Sequence, residues 1–436
     1  MCSVSFSNMN NEAAASDTRW VYDSPVNSDV EAKLRSFLLE LKNTNRILGI
    51  QVCAYKDGKV IIDTAAGVLG KDDPRPVQPD SLFNCFSVTK AVTAGMIHWL
   101  ADKGTLKLDE NVANIWPEFG TNGKDQIKVN HVLNHTAGLH NALAGICEHD
   151  QTLYLDFDEC LKRIAMVAPE TEPGRVQLYH YLSYGWLCGG IIEHASGKKL
   201  QDILEEAIVR PLDVEGELYI GIPPGVESRL ATLTIDKDDL ILLDPQHEIH
   251  KSNPSSAFTP SSSTLSMVSS LIPLSNTLDA RRSIQPASNG HFSARALARY
   301  YAALVDGGIV PPRHLPPLES HLTSDEVDTK IFTSSKEKIH DAFLGNGDYK
   351  DLILQNGAIG LGLGFLKLNR TDGSVIGFGN GGLGGSMAYC DINNRFAVAV
   401  TVNKLSIGAL TGEIIRFVCS ELDLPIPQLF DVPSTK

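Results

Sequence analysis

No apolar stretch in these 436 residues reaches the length of a membrane span. Positive charge is also scarce: 38 Lys and Arg stand against 52 Asp and Glu, a formal net charge of −14, with no long run of one sign. That balance disfavours a nucleic-acid or anionic-membrane partner. Met1 to Phe6 lack both a basic and an apolar segment, so no secretory signal is expected and the protein is read as cytoplasmic. The N-glycosylation patterns at Asn134 and Asn369 then carry no weight. Cys-x-x-Cys pairs are missing too. The eight cysteines (Cys2, Cys53, Cys85, Cys147, Cys160, Cys188, Cys390 and Cys419) are scattered, mostly in apolar surroundings, and read as buried thiols of a reducing compartment.

Other familiar signatures are incomplete. The sequence has no Gly-x-Ser-x-Gly elbow; Ser386 comes nearest, with Ala388 at the last glycine position, which disfavours an α/β-hydrolase. Gly379 to Gly384 has the G-x-G-x-x-G spacing of dinucleotide sites, but strand-like segments follow it instead of a helix. His131 and His135 are spaced like a zinc pair, yet Val132 stands where a metalloprotease carries Glu. His135 is expected to be structural. No metal and no cofactor are expected.

What is present is a serine and a lysine one helical turn apart. Ser87-Val88-Thr89-Lys90 follows the apolar run Leu82 to Phe86 and opens the helix-like run Ala91 to Leu100, with Lys103 and Gly104 suited to cap it. A serine hydroxyl is a weak nucleophile until a base takes its proton, and a desolvated neutral lysine can do that. Ser196–Lys199 and Ser335–Lys338 repeat the spacing, but in polar runs that read as solvated loops.

Along the chain, residues 1–18 are polar and expected to be disordered. Helical spacing marks Asp29 to Leu41, Ile127 to Leu133, Glu159 to Val167, Trp186 to His194, residues 290–307 and Leu410 to Leu422. Ile50 to Ile62 predicts a hairpin turning at Asp57-Gly58. Alternating apolar residues predict strands at Gly360–Leu368, Val375–Phe378, Met387–Cys390 and Ala397–Val402. A Ser- and Pro-rich stretch at about 250–276 reads as a long loop. The order predicts an α/β domain built from both chain ends, residues 19–109 and 286–436, with a mostly helical subdomain at 110–285 that includes this loop.

Four further segments accompany the serine and lysine: Asn134-His135-Thr136-Ala137-Gly138-Leu139; Pro173-Gly174 followed by Tyr179-His180-Tyr181 and Tyr184 to Glu193; Phe378 to Ser386; and Gly104 to Asp109 after the serine helix. In this order and spacing the chain resembles the β-lactamase-related serine hydrolases, a family of class C β-lactamases, DD-peptidases, esterases and acyltransferases. The resemblance covers roughly residues 30–425. It implies an antiparallel sheet flanked by helices. It implies Ser87 as acyl-accepting nucleophile, Lys90 as its base and Tyr179 as proton shuttle, with a phenol pKa lowered by the Lys90 ammonium. The oxyanion hole it implies is the N–H of Ser87 with that of Leu383. Asn380, Gly381 and Gly382 match the strand beside the substrate, and Tyr181 the position two beyond the tyrosine.

Two positions depart from the family. Tyr181 replaces the common Asn or Ser, and Asn380 stands where lactamases and peptidases carry the Lys of Lys-Thr-Gly. Without that cation a substrate carboxylate loses a charge-assisted bond, which favours a small uncharged ester or amide, or an acyl donor. A true β-lactamase or peptidase is one alternative. A non-catalytic scaffold or filament protein that keeps the fold is the other.

Overall fold

The computed structural model describes residues 20–144, 151–236, 271–312, 330–355, 357, 360–406 and 409–431. The disordered tail expected at 1–18 and most of the Ser- and Pro-rich loop lie outside them.

A six-stranded sheet forms the floor of the molecule. Its strands are β1 (Gly49–Lys56), β2 (Lys59–Gly67), β6 (Leu366–Asn369), β7 (Val375–Gly381), β8 (Met387–Asp391) and β9 (Phe396–Val402), ordered β2-β1-β9-β8-β7-β6 and antiparallel throughout. The β1–β2 hairpin turns at Asp57 and Gly58, both with positive φ (53° and 74°), the backbone twist that a two-residue hairpin requires. The β1–β9 pairing, with Gln51 opposite Thr401, joins the two ends of the chain. A small second sheet, β3 (Phe83–Asn84), β5 (Gly290–Phe292) and β4 (Leu218–Ile220) in the order β3-β5-β4, stands where the chain approaches Ser87.

Period-two alternation sorts the side chains of the large sheet. Ile50, Val52, Ala54, Val398 and Val400 face α1 (Asp29–Asn43) and the last helix, through Leu34, Leu38, Ile414 and Val418. On the other face Cys53, Ala388, Ala397 and Ala399 are small, so the helix Ala294–Val305 packs closely over them. That core continues without a break into the helical region, through Phe83, Val92, Met96, Leu133, Trp186 and Ile191. The helix that carries Lys90, α2 (Thr89–Asp102), is buried on nearly every side and ends as expected at Lys103 and Gly104, the latter with φ 72°. No helix among the described residues is long and apolar enough to cross a membrane.

Three local expectations change. The helix read across 290–307 is a strand, Gly290–Phe292, then a helix beginning at Ala294. Ser335 is not in a loop: its hydroxyl accepts from the Lys338 N–H and caps the helix Lys336–Leu344. Of the strand expected at Gly360–Leu368, only Leu366–Asn369 pairs in the sheet; Gly360 and Gly364 have positive φ (64° and 92°), which breaks the extended run.

Candidate active site

Ser87 sits at the mouth of α2, partly exposed, with Lys90 one turn below it and only 1% accessible. Lys90 Nζ lies 3.2 Å from Ser87 Oγ. It also donates to the Tyr181 carbonyl at 2.7 Å and the Ala287 carbonyl at 3.0 Å. Burial without a carboxylate partner brings the amine down to about 7. A neutral amine has two N–H bonds and one lone pair. When the amine is neutral its two hydrogens go to the two carbonyls and its lone pair is left for Ser87 Oγ; when it is protonated it donates to all three oxygens.

Tyr179 arrives from an irregular segment tied to the one before it. Leu178 N–H donates to the His135 carbonyl at 3.0 Å, and His180 N–H donates to His135 Nδ1 at 2.9 Å. The His135 ring lies flat between Tyr179 and Tyr184, at 4.6 and 4.8 Å. Its own pKa is driven well down by burial, so it stays neutral and acts as a spacer for the phenol. His131 Nδ1 likewise accepts a backbone N–H, from Lys128 at 3.2 Å. Among the described residues no cluster of three His, Cys, Asp or Glu could hold a metal ion.

The Tyr179 phenol lies beside the Ser87 side chain, close enough for that side chain to act on the phenol's proton affinity, and Lys90 Nζ lies 5.0 Å from the centre of the phenol ring. The family resemblance implied a lowered phenol pKa, and the structure reverses that expectation. Burial raises it to about 12, with neighbouring Tyr181 adding to the rise, despite the lowering influence of the Ser87 side chain.

The end of β7 closes the third side. A Cβ on Gly382 would overlap the Cys85 carbonyl, so only glycine lets the strand come this close to the segment leading into Ser87. Leu383 packs beside Phe86 in a small apolar cluster with Leu233, Ile272 and Leu405. Among the described residues no acceptor meets the N–H of Ser87 or of Leu383. Gly381 is exposed at the strand end. The Asn380 side chain is buried, and its Oδ1 accepts from Leu366 N–H at 3.3 Å, so half of its amide is already engaged across the sheet. Tyr181 is 42% exposed and meets Tyr179 edge-on at 5.0 Å; the atom it gives Lys90 is its carbonyl. Neither that carbonyl nor Ala287 could be singled out in sequence, because any residue supplies a main-chain oxygen.

The other serines sit elsewhere. Ser386 Oγ accepts from Val402 N–H at 3.1 Å and braces β9, while Lys199 pairs with Asp158 and Glu193 on the surface. The stretch Gly379–Gly384 leads from β7 into β8, not into a helix.

An antiparallel sheet flanked by helices, one of which carries a buried lysine beneath a reachable serine, is the architecture of the β-lactamase-like serine hydrolases. The Beta-lactamase family model matches residues 34–411, and the chain belongs to that family. It is 30% identical over 366 residues to Esterase/beta-lactamase LipL of Mycobacterium tuberculosis, a match covering 83% of this chain and 78% of that protein. Esterase EstB of Burkholderia gladioli is 26% identical over 211 residues, covering 45% of this chain and 53% of the relative. A penicillin-binding protein homolog from Caulobacter crescentus superimposes with a TM-score of 0.69 and 27% identity, covering 92% of this chain and all (100%) of that one. A family VIII carboxylesterase, 22% identical with a TM-score of 0.68 and covering 89% and 94% of the two chains, shares the fold. The protein is a serine hydrolase of this family.

Proposed function

We propose that the protein hydrolyses small uncharged carboxylic esters through an acyl-enzyme on Ser87. The observation that carries this reading is the placement of Lys90 between two carbonyls and the serine. Lys90 takes the Ser87 proton as Oγ bonds to the ester carbonyl carbon, and the carbonyl π electrons move onto oxygen. The N–H groups of Ser87 and Leu383 stabilise that oxyanion. Collapse breaks the bond to the alkoxide, which leaves as the alcohol with a proton from Tyr179, and the Lys90 ammonium restores the phenol. A phenol held near 12 stays protonated at neutral pH, so Tyr179 works as donor and not as resting base. Water then attacks the acyl carbon and gives a proton to Lys90, and on collapse the Lys90 ammonium returns that proton to the departing Ser87 Oγ, leaving the free acid and the resting serine and amine.

The preference for esters follows from Asn380. An uncharged amide, half engaged by Leu366, grips a substrate carboxylate less well than a lysine does. A charge-assisted hydrogen bond is roughly twice as strong as a neutral one, and each ~1.4 kcal/mol is about tenfold in kcat/KM. Short-chain nitrophenyl esters should therefore be cleaved far faster than chromogenic cephalosporins, and Ser87→Ala should abolish both activities while its circular dichroism is unchanged. A folded Ser87→Ala protein with unmutated turnover would remove Ser87 from the mechanism. Equal rates on the two substrate classes would replace the esterase reading with a β-lactamase.

A further inference from the structure

The Phe86–Ser87 peptide carries one of the two N–H groups proposed above for the oxyanion; its carbonyl accepts from the Thr89 N–H at 2.9 Å and also from the Thr89 hydroxyl, and a buried asparagine holds the peptide before it. Phe86 has a φ of 44°, a left-handed conformation that a bulky residue keeps only when its surroundings enforce it. Asn84 acts on the leading side. Its Oδ1 accepts from the Phe86 N–H at 2.9 Å, and its Nδ2 donates to Asn289 Oδ1 at 3.4 Å. Asn289 in turn donates to the carbonyls of Ala280, Arg281 and Ser283, which anchors the pair to the framework. Thr89 acts on the trailing side. Its hydroxyl donates to the Phe86 carbonyl at 2.5 Å and accepts from Gly290 N–H at 2.8 Å. Both side chains are buried, Thr89 completely.

In a trans peptide the C=O and N–H point in opposite directions within one plane. A pinned Phe86 carbonyl therefore fixes where the Ser87 N–H aims. Donation into that carbonyl also polarises the amide and strengthens its N–H as a donor. We infer that Thr89, assisted by Asn84, is a positioning residue that sets the plane of the Phe86–Ser87 peptide and so aims the oxyanion-stabilising N–H. The inference rests on the acyl-enzyme reading and adds two residues that touch neither substrate nor Lys90 Nζ.

The test uses the full chain with Thr89→Val, Thr89→Ser and Asn84→Ala. Active sites are titrated with a fluorophosphonate, and kcat and KM for 4-nitrophenyl butyrate are taken per titrated site. Thr89→Val should lower kcat about 10- to 100-fold with KM within about 3-fold, and Thr89→Ser should restore kcat to within about 3-fold. Asn84→Ala, which keeps both Thr89 bonds, should also lower kcat per site and decides the matter if Thr89→Val is insoluble. Unmutated kcat per titrated site in either soluble variant overturns the inference, as does a loss confined to the number of titratable sites. Failure of the unmutated protein to react at Ser87 is a different result, and it overturns the acyl-enzyme reading itself.

Discussion

Three side chains carry the proposed chemistry, and their proton affinities put them in order. Burial lowers Lys90 to about 7 and raises Tyr179 to about 12, so above about pH 7 the first is a free base while the second is still an intact acid. Below about pH 7 Lys90 holds its proton and cannot accept that of Ser87. The value of kcat/KM for an ester should therefore rise with pH through a midpoint near 7, and the limb belongs to the amine because deprotonation switches it on. Tyr179→Phe should lower kcat on the order of 10²-fold and leave that midpoint in place, since the phenol is protonated on both sides of it. Rate-against-pH profiles of both proteins check this. A midpoint that moves with Tyr179→Phe would transfer the base function from Lys90 to the tyrosine.

Regular elements were legible in sequence wherever they are long enough to show a period. The serine helix, the β1–β2 hairpin, β8 and β9 follow their apolar patterns; the candidate pair Ser87 and Lys90 stood out by spacing, and the candidates Tyr179, Asn380 and Gly382 by the family resemblance. What was not legible has physical reasons. A three-residue strand such as β5 has no period of its own, so it merged with the helix that follows it. A capping serine followed by lysine three residues later looks identical to a reactive pair until burial separates them, as at Ser335. Backbone oxygens such as those of Tyr181 and Ala287 leave no trace in composition. The end of β7 gives the prediction at this scale. Gly382→Ala would drive a Cβ into the Cys85 carbonyl, whereas the nearest atom to a Cβ on Gly381 is the flexible Met387 Sδ, at 3.1 Å. Gly382→Ala should cost about 10-fold or more in ester turnover with the fold retained, and Gly381→Ala far less. Unmutated turnover in Gly382→Ala would show that the strand need not approach Ser87 so closely.

The whole molecule supports the site by tying distant parts of the chain to one core. Residues 50–56 and 396–402 pair inside the sheet, and the apolar core beneath Ser87 runs unbroken from that sheet to the helix Ser183–Ser196. Lys90 is dry because its helix packs against the helix Ser183–Ser196 and the segments carrying Tyr181 and Ala287 close over its amine, so a low lysine pKa is a property of the assembled fold and not of the Ser-x-x-Lys spacing. The acidic surface, with a net charge of −14, suits neutral substrates better than anionic ones. The central claim is that this assembly forms a covalent acyl-enzyme on one serine. Rapid acid quench of the protein during turnover of 4-nitrophenyl butyrate, followed by peptide mass mapping, tests it directly. The account requires a butyryl adduct on the peptide containing Ser87, absent in Ser87→Ala. Sustained ester turnover with no adduct on that peptide, or with the adduct on another serine such as Ser386, would contradict it.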